Sequence, residues 1–372
     1  MLIGVPKEIK VHEYRVGLTP ESVRELVARG HRVMVERNAG EGIGASDSDY
    51  GTAGAAIAST PEEIFADAEL IVKVKEPLAA ERARLRPGQT LFTYLHLAPD
   101  PDQVRDLLRS GVIAIAYETV TSPTGGLPLL APMSEVAGRM AVQVAAHYLE
   151  RPSGGRGVLI SGAAGIAPAR VVVLGAGIVG SNAARIAAGM GAEVVMLSRS
   201  AGPLQRLQAE LGPHLRAFVS SPADIDRELQ EADAVIGSAM VPGGLAPKLV
   251  KRAMLSTMKK GAVLVDVAID QGGCFETSRP TTHADPVFAV DGILHYCVAN
   301  MPGAVPRTST YALNHATLPF VLELAQRGVM EALRGNAALR DGLNIFRGKV
   351  TRREVAEALG YAWTEPLQAL VT

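Results

Sequence analysis

This chain of 372 residues has little of several residue types that mark particular protein classes. It contains two cysteines and one tryptophan, its aromatic content is 4%, and its formal net charge is −1. Cys274 and Cys297 are too few for a disulfide framework or a cysteine metal cluster, so we expect a reducing compartment. The balanced charge favours neither nucleic acid nor an anionic membrane surface as a partner.

Long apolar segments are also missing. No apolar run approaches the length of about 18 residues that a membrane-spanning helix needs. The N-terminal sequence MLIGVPKEIK lacks the apolar core of a signal peptide. We therefore expect a cytoplasmic protein with no membrane partner. The length of the chain suggests two domains, each able to bury its own core.

The most informative segment reads RVVVLGAGIVGSNAARIAAGMGAEVVMLSRS and begins at Arg170. An apolar strand pattern leads into Gly175-x-Gly177-x-x-Gly180, and a small-residue helix and a second strand pattern follow. In this order the glycines predict a dinucleotide site. Gly175 allows the tight turn, Gly177 lets a pyrophosphate approach the backbone, and Gly180 lets helix and strand pack closely. The first N–H groups of the helix then face the phosphates.

The end of the second strand bears on which dinucleotide binds. An acid that binds the ribose 2′-hydroxyl is expected roughly 20 residues past the glycines. The chain has Ser198-Arg199-Ser200 there instead. Because guanidinium and phosphate form a forked, charge-assisted pair, we interpret Ser198 and Arg199 as favouring NADP(H). The alternative is that Arg199 is a solvent-exposed side chain beside an NAD site that has lost its acid.

Alternating strand and helix patterns run along most of the chain, which predicts doubly wound parallel sheets. In the middle, strands are predicted at 170–174, 193–197, 215–219, 234–237, 262–266 and 294–298, and helices at 178–190, 203–211 and 246–258. Before it, strands are predicted at Leu2–Val5, Arg32–Val35, Leu70–Val74, Leu91–Leu95 and Val112–Ala116, and helices at 20–29 and 101–110.

Two long helices are predicted to bracket the middle section. One begins after Met133 with Ser134 as its N-cap and ends near Leu149, and the other runs from about Ser309 to Leu333. The predicted fold class is therefore α/β, with two Rossmann-like domains separated by a cleft and joined by long helices. We expect residues 1–130 and 307–372 to form a substrate domain and residues 131–306 a dinucleotide-binding domain.

Chemistry needs polar groups at the ligand edge of these sheets. Lys75 and His96 each follow a predicted strand, and Asp270 follows the strand at 262–266. Ligands collect at the carboxyl ends of strands in open α/β sheets, so all three are candidates for a reaction site. Taken singly, each of these three residues also has an ordinary structural explanation. Arg15 by itself is not distinguishable from a surface arginine.

Nine segments carry a resemblance that the single residues do not. They are PKEIK, EYRVGLTP, VKVKEP, LFTYLHLA, YETV, LPLLAPMSEVAGR, VLGAGIVG, DVAIDQGGCFETSRPTTH and YCVANMPGAVPRTSTYAL. With them the chain resembles the alanine dehydrogenase family, which also includes the nucleotide-binding part of nicotinamide transhydrogenase. The resemblance implies reversible oxidative deamination of L-alanine to pyruvate and ammonium with NAD or NADP. It also implies a homo-oligomer, commonly a hexamer.

The resemblance further implies residue roles. Arg15 binds the substrate carboxylate, and Lys75 stabilises negative charge beside it. His96 exchanges a proton with the carbonyl or carbinolamine oxygen, and Asp270 helps to deprotonate the amine or water. Substrate binding is assigned to Arg15, Lys75, Met133 and Asn300. Cofactor binding is assigned to Ser134, Gly175, Gly177, Ile178, Val179, Gly180, Ser198, Arg199, Ser220, Ala239, Val267, Asp270, Asn300 and Met301.

Other functions stay open at this stage. A transhydrogenase-like component with a membrane partner, a lysine- or opine-type dehydrogenase, and a non-catalytic dinucleotide sensor share parts of the pattern. We expect no metal, because the nicotinamide performs the redox step and the histidines lie at no recognisable ligand spacing. We expect His283, in a loop, to be structural.

Overall fold

The computed structural model describes residues 1–123, 125–240 and 245–371, and the chain divides into two compact units. The first unit comprises Met1–Met133 and Gly303–Thr372, and the second comprises Ser134–Pro302. The chain passes from the first unit to the second within the helix Ala131–Tyr148. It returns within the 3₁₀ helix Met301–Ala304.

Fifteen strands are present in the described part of the chain. In chain order they are β1 (Leu2–Val5), β2 (Arg32–Glu36), β3 (Ala56–Ala58), β4 (Leu70–Val72), β5 (Thr90–Thr93), β6 (Ile113–Ala116), β7 (Arg170–Leu174), β8 (Glu193–Ser198), β9 (Leu215–Val219), β10 (Ala234–Gly237), β11 (Val263–Asp266), β12 (Val287–Val290), β13 (Ile293–Tyr296), β14 (Leu343–Phe346) and β15 (Lys349–Val350).

The described residues also form fourteen α-helices. They are α1 (Pro20–Ala28), α2 (Asp47–Thr52), α3 (Pro61–Asp67), α4 (Ala79–Arg82), α5 (Pro101–Ser110), α6 (Ala131–Tyr148), α7 (Ile178–Gly189), α8 (Ala201–Leu211), α9 (Pro222–Glu231), α10 (Pro306–Arg327), α11 (Val329–Gly335), α12 (Ala337–Arg340), α13 (Arg353–Leu359) and α14 (Pro366–Ala369). No helix of these described residues is both long enough and apolar enough to cross a bilayer.

Each unit contains one doubly wound sheet. In the first unit the order is β15-β14-β6-β5-β4-β1-β2-β3; β1 to β6 pair in parallel, and β14 and β15 extend one side antiparallel. In the second unit the order is β12-β13-β11-β10-β7-β8-β9, with only β12 antiparallel. Counted within its own unit, each parallel set runs 3-2-1-4-5-6, the order of dinucleotide-binding folds. The prediction of two Rossmann-like α/β units is confirmed.

Buried apolar strands form the centre of each unit. In β7, Val171, Val172, Val173 and Leu174 are all fully buried. A parallel strand covered by helices on both faces is apolar on both faces, which is the reason its sequence is a continuous apolar run. Helix α5 ends where the sequence predicts, at Gly111, which adopts φ +69°.

The predicted helix at 246–258 is wrong. Only a 3₁₀ helix, Arg252–Ser256, forms within it. The preceding residues instead pair with the loop that follows β11: the N–H of Ala246 donates to the carbonyl of Gln271 at 2.8 Å, and that of Leu249 donates to Cys274 at 2.8 Å. These long-range bonds use the backbone groups that a helix would need.

Two predicted helix boundaries also differ from the structure. Ser134 lies inside α6, which starts three residues earlier at Ala131 with Pro132 in its first turn, a position that suits proline. The second long helix starts at Pro306 and ends at Arg327. Gly328, at φ +76° and ψ +149°, interrupts it before α11 begins.

Candidate active site

The glycine turn after β7 has the shape that a dinucleotide needs. Gly175 adopts φ +111°, and a Cβ there would lie 2.9 Å from the backbone nitrogen of Ala239. A Cβ on Gly180 would lie 1.9 Å from the carbonyl oxygen of Gly175. A Cβ on Gly177 would meet nothing within 4 Å. The outer two glycines are therefore required by the fold, whereas the space beside Gly177 suits a pyrophosphate.

The helix that follows presents an open N-terminus. Helix α7 begins at Ile178, with Gly177 as its N-cap and no side chain capping the first turn. The backbone N–H groups of Ile178, Val179 and Gly180 therefore form an anion site with positive dipole density. These residues fit the phosphates of a nicotinamide dinucleotide.

The residues assigned to the adenosine end lie beside this turn. Ser198 is the last residue of β8, and Ser220, which follows β9, donates its N–H to the carbonyl of Ser198 at 3.1 Å. Arg199 is exposed and makes no hydrogen bond or ion pair with any residue of the described ranges. The structure thus places Arg199 at the ligand edge of the sheet, and its role stays a prediction.

The residues assigned to the nicotinamide end follow the other strands of the second unit. Ala239 comes after β10, and Val267 comes after β11 and donates its N–H to Gly237 at 3.0 Å. Asn300 adopts φ +63°, and its carbonyl accepts a hydrogen bond from Nε2 of His283 at 3.1 Å. Met301 next to it is buried. Ser134 is half-buried in α6.

Asp270 is exposed and lies in a 3₁₀ helix of the loop after β11. A second aspartate, Asp266, binds both ends of that loop through its carboxylate. The buried carboxylate of Asp266 accepts the N–H groups of Ala268 at 3.2 Å, Cys274 at 3.1 Å and Phe275 at 3.3 Å. It also accepts the hydroxyl of Ser278. Burial raises the pKa of Asp266, although these hydrogen bonds oppose the shift. Asp266 positions the segment that carries Asp270.

In the first unit, Arg15 is 2% exposed and is paired with an acid two residues before it. Its Nε donates to Oε1 of Glu13 at 2.6 Å, and Nη2 donates to Oε2 of the same carboxylate. Its Nη1 donates to Sδ of Met133 at 3.1 Å. The guanidinium edge formed by Nε and Nη2 is therefore bound to the protein itself, and Nη1 lies against a weak acceptor.

Lys75 is half-buried at the end of a second buried ionic cluster. Oε1 of Glu8 accepts the N–H groups of Val74 at 2.7 Å and Lys75 at 3.2 Å. Its Oε2 accepts Nζ of Lys73 at 3.1 Å, and Nζ of Lys73 lies 2.7 Å from Glu81. Burial raises the pKa of Glu8, and the charge of Lys73 opposes that shift. The carboxylate of Glu8 thus holds the backbone that carries Lys75.

His96 occupies an uncommon backbone conformation for a residue other than glycine, with φ +48°. Its N–H donates to Oε1 of Glu118 at 2.7 Å, and the same carboxylate accepts the N–H of Leu95 at 3.2 Å. The imidazole stacks on the ring of Tyr94, with ring centroids 5.9 Å apart. Glu118 stabilises the turn that presents the exposed imidazole.

The predicted residues of the first unit follow neighbouring strands. Lys75 follows β4, His96 follows β5, and Arg15 lies in the segment after β1. Four acids accept hydrogen bonds from the predicted residues or from the segments that carry them, and none of the four received a role from the sequence. They are Glu8, Glu13, Glu118 and Asp266. Each lies within a segment that carries the family resemblance or, for Asp266, opens one. An acid at the end of a buried strand or just after it was the signal that could have drawn attention to Asp266 and Glu118.

Family models match both units of this chain. The model described as alanine dehydrogenase/PNT, N-terminal domain, matches residues 4–137, and the corresponding C-terminal domain matches residues 141–353. The chain belongs to the alanine dehydrogenase/PNT family. An alanine dehydrogenase of Halomonas elongata is 58% identical over 98% of each chain. This confirms the family that the sequence predicted.

Solved structures of the alanine dehydrogenase/PNT family agree with the fold. A structure titled L-alanine dehydrogenase has a TM-score of 0.94 and 48% identity, covering 97% of this chain and 99% of that one. A transhydrogenase from Sinorhizobium meliloti has a TM-score of 0.81 and 26% identity, covering 94% and 100%. Within the family, this chain is therefore more similar to the proteins named alanine dehydrogenase.

Proposed function

We propose that this chain catalyses the reversible reaction L-alanine + NAD(P)⁺ + H₂O → pyruvate + NH₄⁺ + NAD(P)H + H⁺. The observation that carries the proposal is the 58% identity with an alanine dehydrogenase over 98% of both chains. A transhydrogenase-type function is the weaker candidate, because the corresponding identity is 26%.

The second unit binds the cofactor in this proposal. The N–H groups at the start of α7 would hold the pyrophosphate, and Ala239, Val267 and Met301 are the residues that would hold the nicotinamide. A bound nicotinamide would supply the hydride acceptor for the oxidation of alanine at Cα and the hydride donor in the reverse direction.

The first unit binds the substrate anion and supplies one acid–base group. Nη1 of Arg15 and the ammonium group of Lys75 attract the carboxylate, and the side chain of Met133 bounds the site. His96 exchanges a proton with the oxygen that becomes the pyruvate carbonyl. The family resemblance assigns to Asp270 the removal of a proton from the attacking water or from the ammonium group. Each acid–base contribution is worth about 10²- to 10⁴-fold in rate.

We further propose a preference for NADP(H). The exposed, cationic side chain of Arg199 and the absence of an acid at Ser198, the end of β8, support it. A hydrogen bond to a charged group is worth about 1.5–3 kcal/mol, so one Arg–phosphate contact would change cofactor affinity by about one to two decades. The alternative, an NAD-dependent enzyme with Arg199 in solvent, makes the opposite prediction.

A hexamer is proposed from the family resemblance. Leu159 and Ile166 of the second unit are apolar side chains that are 64% and 68% exposed, and subunit contacts would bury such side chains. Light scattering should give six times the 39.0 kDa chain mass. A monomer mass at micromolar concentration would contradict this part of the proposal.

Initial rates with pyruvate and ammonium test the proposal, with NADH and NADPH measured side by side. Two variants keep the fold while removing the chemistry: His96→Asn, because asparagine tolerates φ +48°, and the near-isosteric Asp270→Asn. We expect turnover to fall by about 10²-fold or more in each, with cofactor affinity retained. Hydride exchange between NADH and an NADP analogue, without consumption of pyruvate, would favour the transhydrogenase alternative.

A further inference from the structure

The strongest unexplained contact in the first unit joins Arg15 to Glu13. The Glu13 carboxylate accepts three N–H groups of one residue: the backbone N–H of Arg15 at 3.1 Å, Nε at 2.6 Å and Nη2 at 2.5 Å. The two side chains are 0% and 2% exposed. A buried, bidentate pair of this kind has a defined geometry and excludes water from the charged groups.

The remaining terminal nitrogen of the guanidinium has a different environment. Nη1 donates to the thioether sulfur of Met133 at 3.1 Å. A thioether is a weak acceptor, whereas a carboxylate is a strong one. An incoming carboxylate therefore gains by replacing sulfur at Nη1, and would gain little by competing with Glu13 at the other edge.

The backbone around Arg15 is anchored, so the pair does not separate by a simple movement of the loop. The N–H of Val16 donates to Oγ1 of Thr310 at 3.3 Å, and the side-chain amide of Asn314 donates to the carbonyl of Gly17 at 2.5 Å. A Cβ on Gly17 would lie 2.3 Å from the carbonyl oxygen of Val72. Helix α10 and the end of β4 thus hold the segment that carries both charges.

We propose that Glu13 is a positioning and specificity-determining residue of the substrate anion site. Its carboxylate holds Arg15 by the Nε–Nη2 edge and leaves Nη1, beside Met133, as the donor that takes the single carboxylate of a 2-oxo monoacid. The inference rests on the proposed function, because it assumes that Arg15 binds the substrate.

The charge of Glu13 has a second consequence. It neutralises the guanidinium in a buried setting, where charges are weakly screened. In the proposed site Arg15 and Lys75 bind the first carboxylate of the substrate, so a second carboxylate would meet the negative charge of Glu13. The site therefore discriminates against short 2-oxo dicarboxylates, such as oxaloacetate, by repulsion as well as by size.

Kinetics of Glu13→Gln test the proposal, with Glu41→Gln as the matched control. Glu41 is an exposed carboxylate of the same unit, 3.7 Å from Lys7. We expect Glu13→Gln to raise the KM for pyruvate about tenfold or more, since it loses one charged acceptor of Arg15. We expect kcat and the KM for the cofactor to change by less than about threefold. The ratio of oxaloacetate to pyruvate turnover should rise, and Glu13→Asp should restore part of the pyruvate affinity.

A double-mutant cycle distinguishes action through Arg15 from a general structural effect. Arg15→Lys removes the guanidinium group that Glu13 holds. Glu13→Gln should therefore raise the pyruvate KM much less in the Arg15→Lys background than in the wild-type background. Additive effects, or an unchanged or lowered pyruvate KM in Glu13→Gln, would overturn the proposal. If Glu13→Gln does not fold, the comparison of Glu13→Asp with the wild type decides in the same way. A wild-type enzyme that ignores pyruvate overturns the proposed function instead, and calorimetric binding of pyruvate then tests Glu13 independently.

Discussion

The carboxylate of Glu118 accepts the backbone N–H of His96 at 2.7 Å and lies 3.9 Å from Nδ1 of the same histidine. Because His96 adopts φ +48°, its backbone is in a region that side chains other than glycine seldom occupy. One acid thus stabilises the unusual turn and faces the imidazole that the turn presents. The arrangement makes Glu118 a positioning residue for His96.

Replacement of Glu118 should therefore lower turnover more than substrate affinity. We expect Glu118→Ala to reduce kcat by about 10- to 100-fold, the equivalent of one charge-assisted hydrogen bond, and Glu118→Gln to reduce it less, because an amide oxygen still accepts one N–H. Steady-state kinetics and cofactor titration measure both effects. Glu62→Gln, which changes an exposed acid paired with Arg84, is the control. Equal losses in kcat and cofactor affinity would mean that Glu118 only supports the fold.

Two glycines of the cofactor turn should respond differently to alanine. Gly180→Ala would place a Cβ 1.9 Å from the carbonyl of Gly175, so we expect a marked loss of stability. Gly177→Ala meets nothing within 4 Å, so we expect a folded protein that binds the cofactor at least tenfold more weakly. Gly189→Ala, at the exposed end of the same helix, is the control and should be neutral or slightly stabilising. Thermal melting measures the stability of these variants, and fluorescence titration with NADH measures their cofactor binding. Normal NADH binding by a folded Gly177→Ala variant would contradict the pyrophosphate assignment.

Arg199→Ala tests the preference for NADP(H). We expect the KM for NADPH to rise about tenfold or more while the KM for NADH stays within about twofold, since only NADPH carries the 2′-phosphate. Arg185→Ala is a suitable control, because that arginine lies in the same unit but is paired with Glu210 at 2.6 Å. Equal changes for both cofactors would remove the 2′-phosphate assignment.

The stability of the second unit should depend on pH through His295. Burial lowers the pKa of this histidine below its ordinary value of 6.5, although a hydrogen bond to the carbonyl of Ile293 opposes the shift. The unfolded chain therefore takes up the proton first, so the stability that neutral His295 contributes is complete above about pH 6.5 and is lost as the pH falls below it. Urea unfolding midpoints at pH 7.5 and 5.5 measure this loss.

A variant shows whether His295 is responsible for that loss. In His295→Gln the difference between the two midpoints should shrink, because the substituted side chain does not titrate. His147→Gln, which changes an exposed histidine, should keep the wild-type difference. An unchanged difference in His295→Gln would assign the pH dependence to other groups.

Much of the fold was predictable because its signals are local. The continuous apolar run of β7, the glycine turn at Gly175 and the stop at Gly111 each follow from the conformations that these residues allow over a few positions. The segment at 246–258 was not predictable in this way. Its backbone groups pair with the loop after β11, and a bond between residues 25 positions apart leaves no periodic pattern in either segment.

The sequence by itself determined the two doubly wound units and the dinucleotide site, because strand periodicity and motif spacing are properties of short segments. The predicted strand ends made Lys75, His96 and Asp270 candidates, and the family resemblance added Arg15. Only the tertiary structure decided which acids hold them. Glu8 and Glu118 accept N–H groups of the segments that follow β4 and β5, and Glu13 and Asp266 are buried by packing. A carboxylate's partner depends on distance and exclusion of water, and both arise only when separate segments of the chain meet.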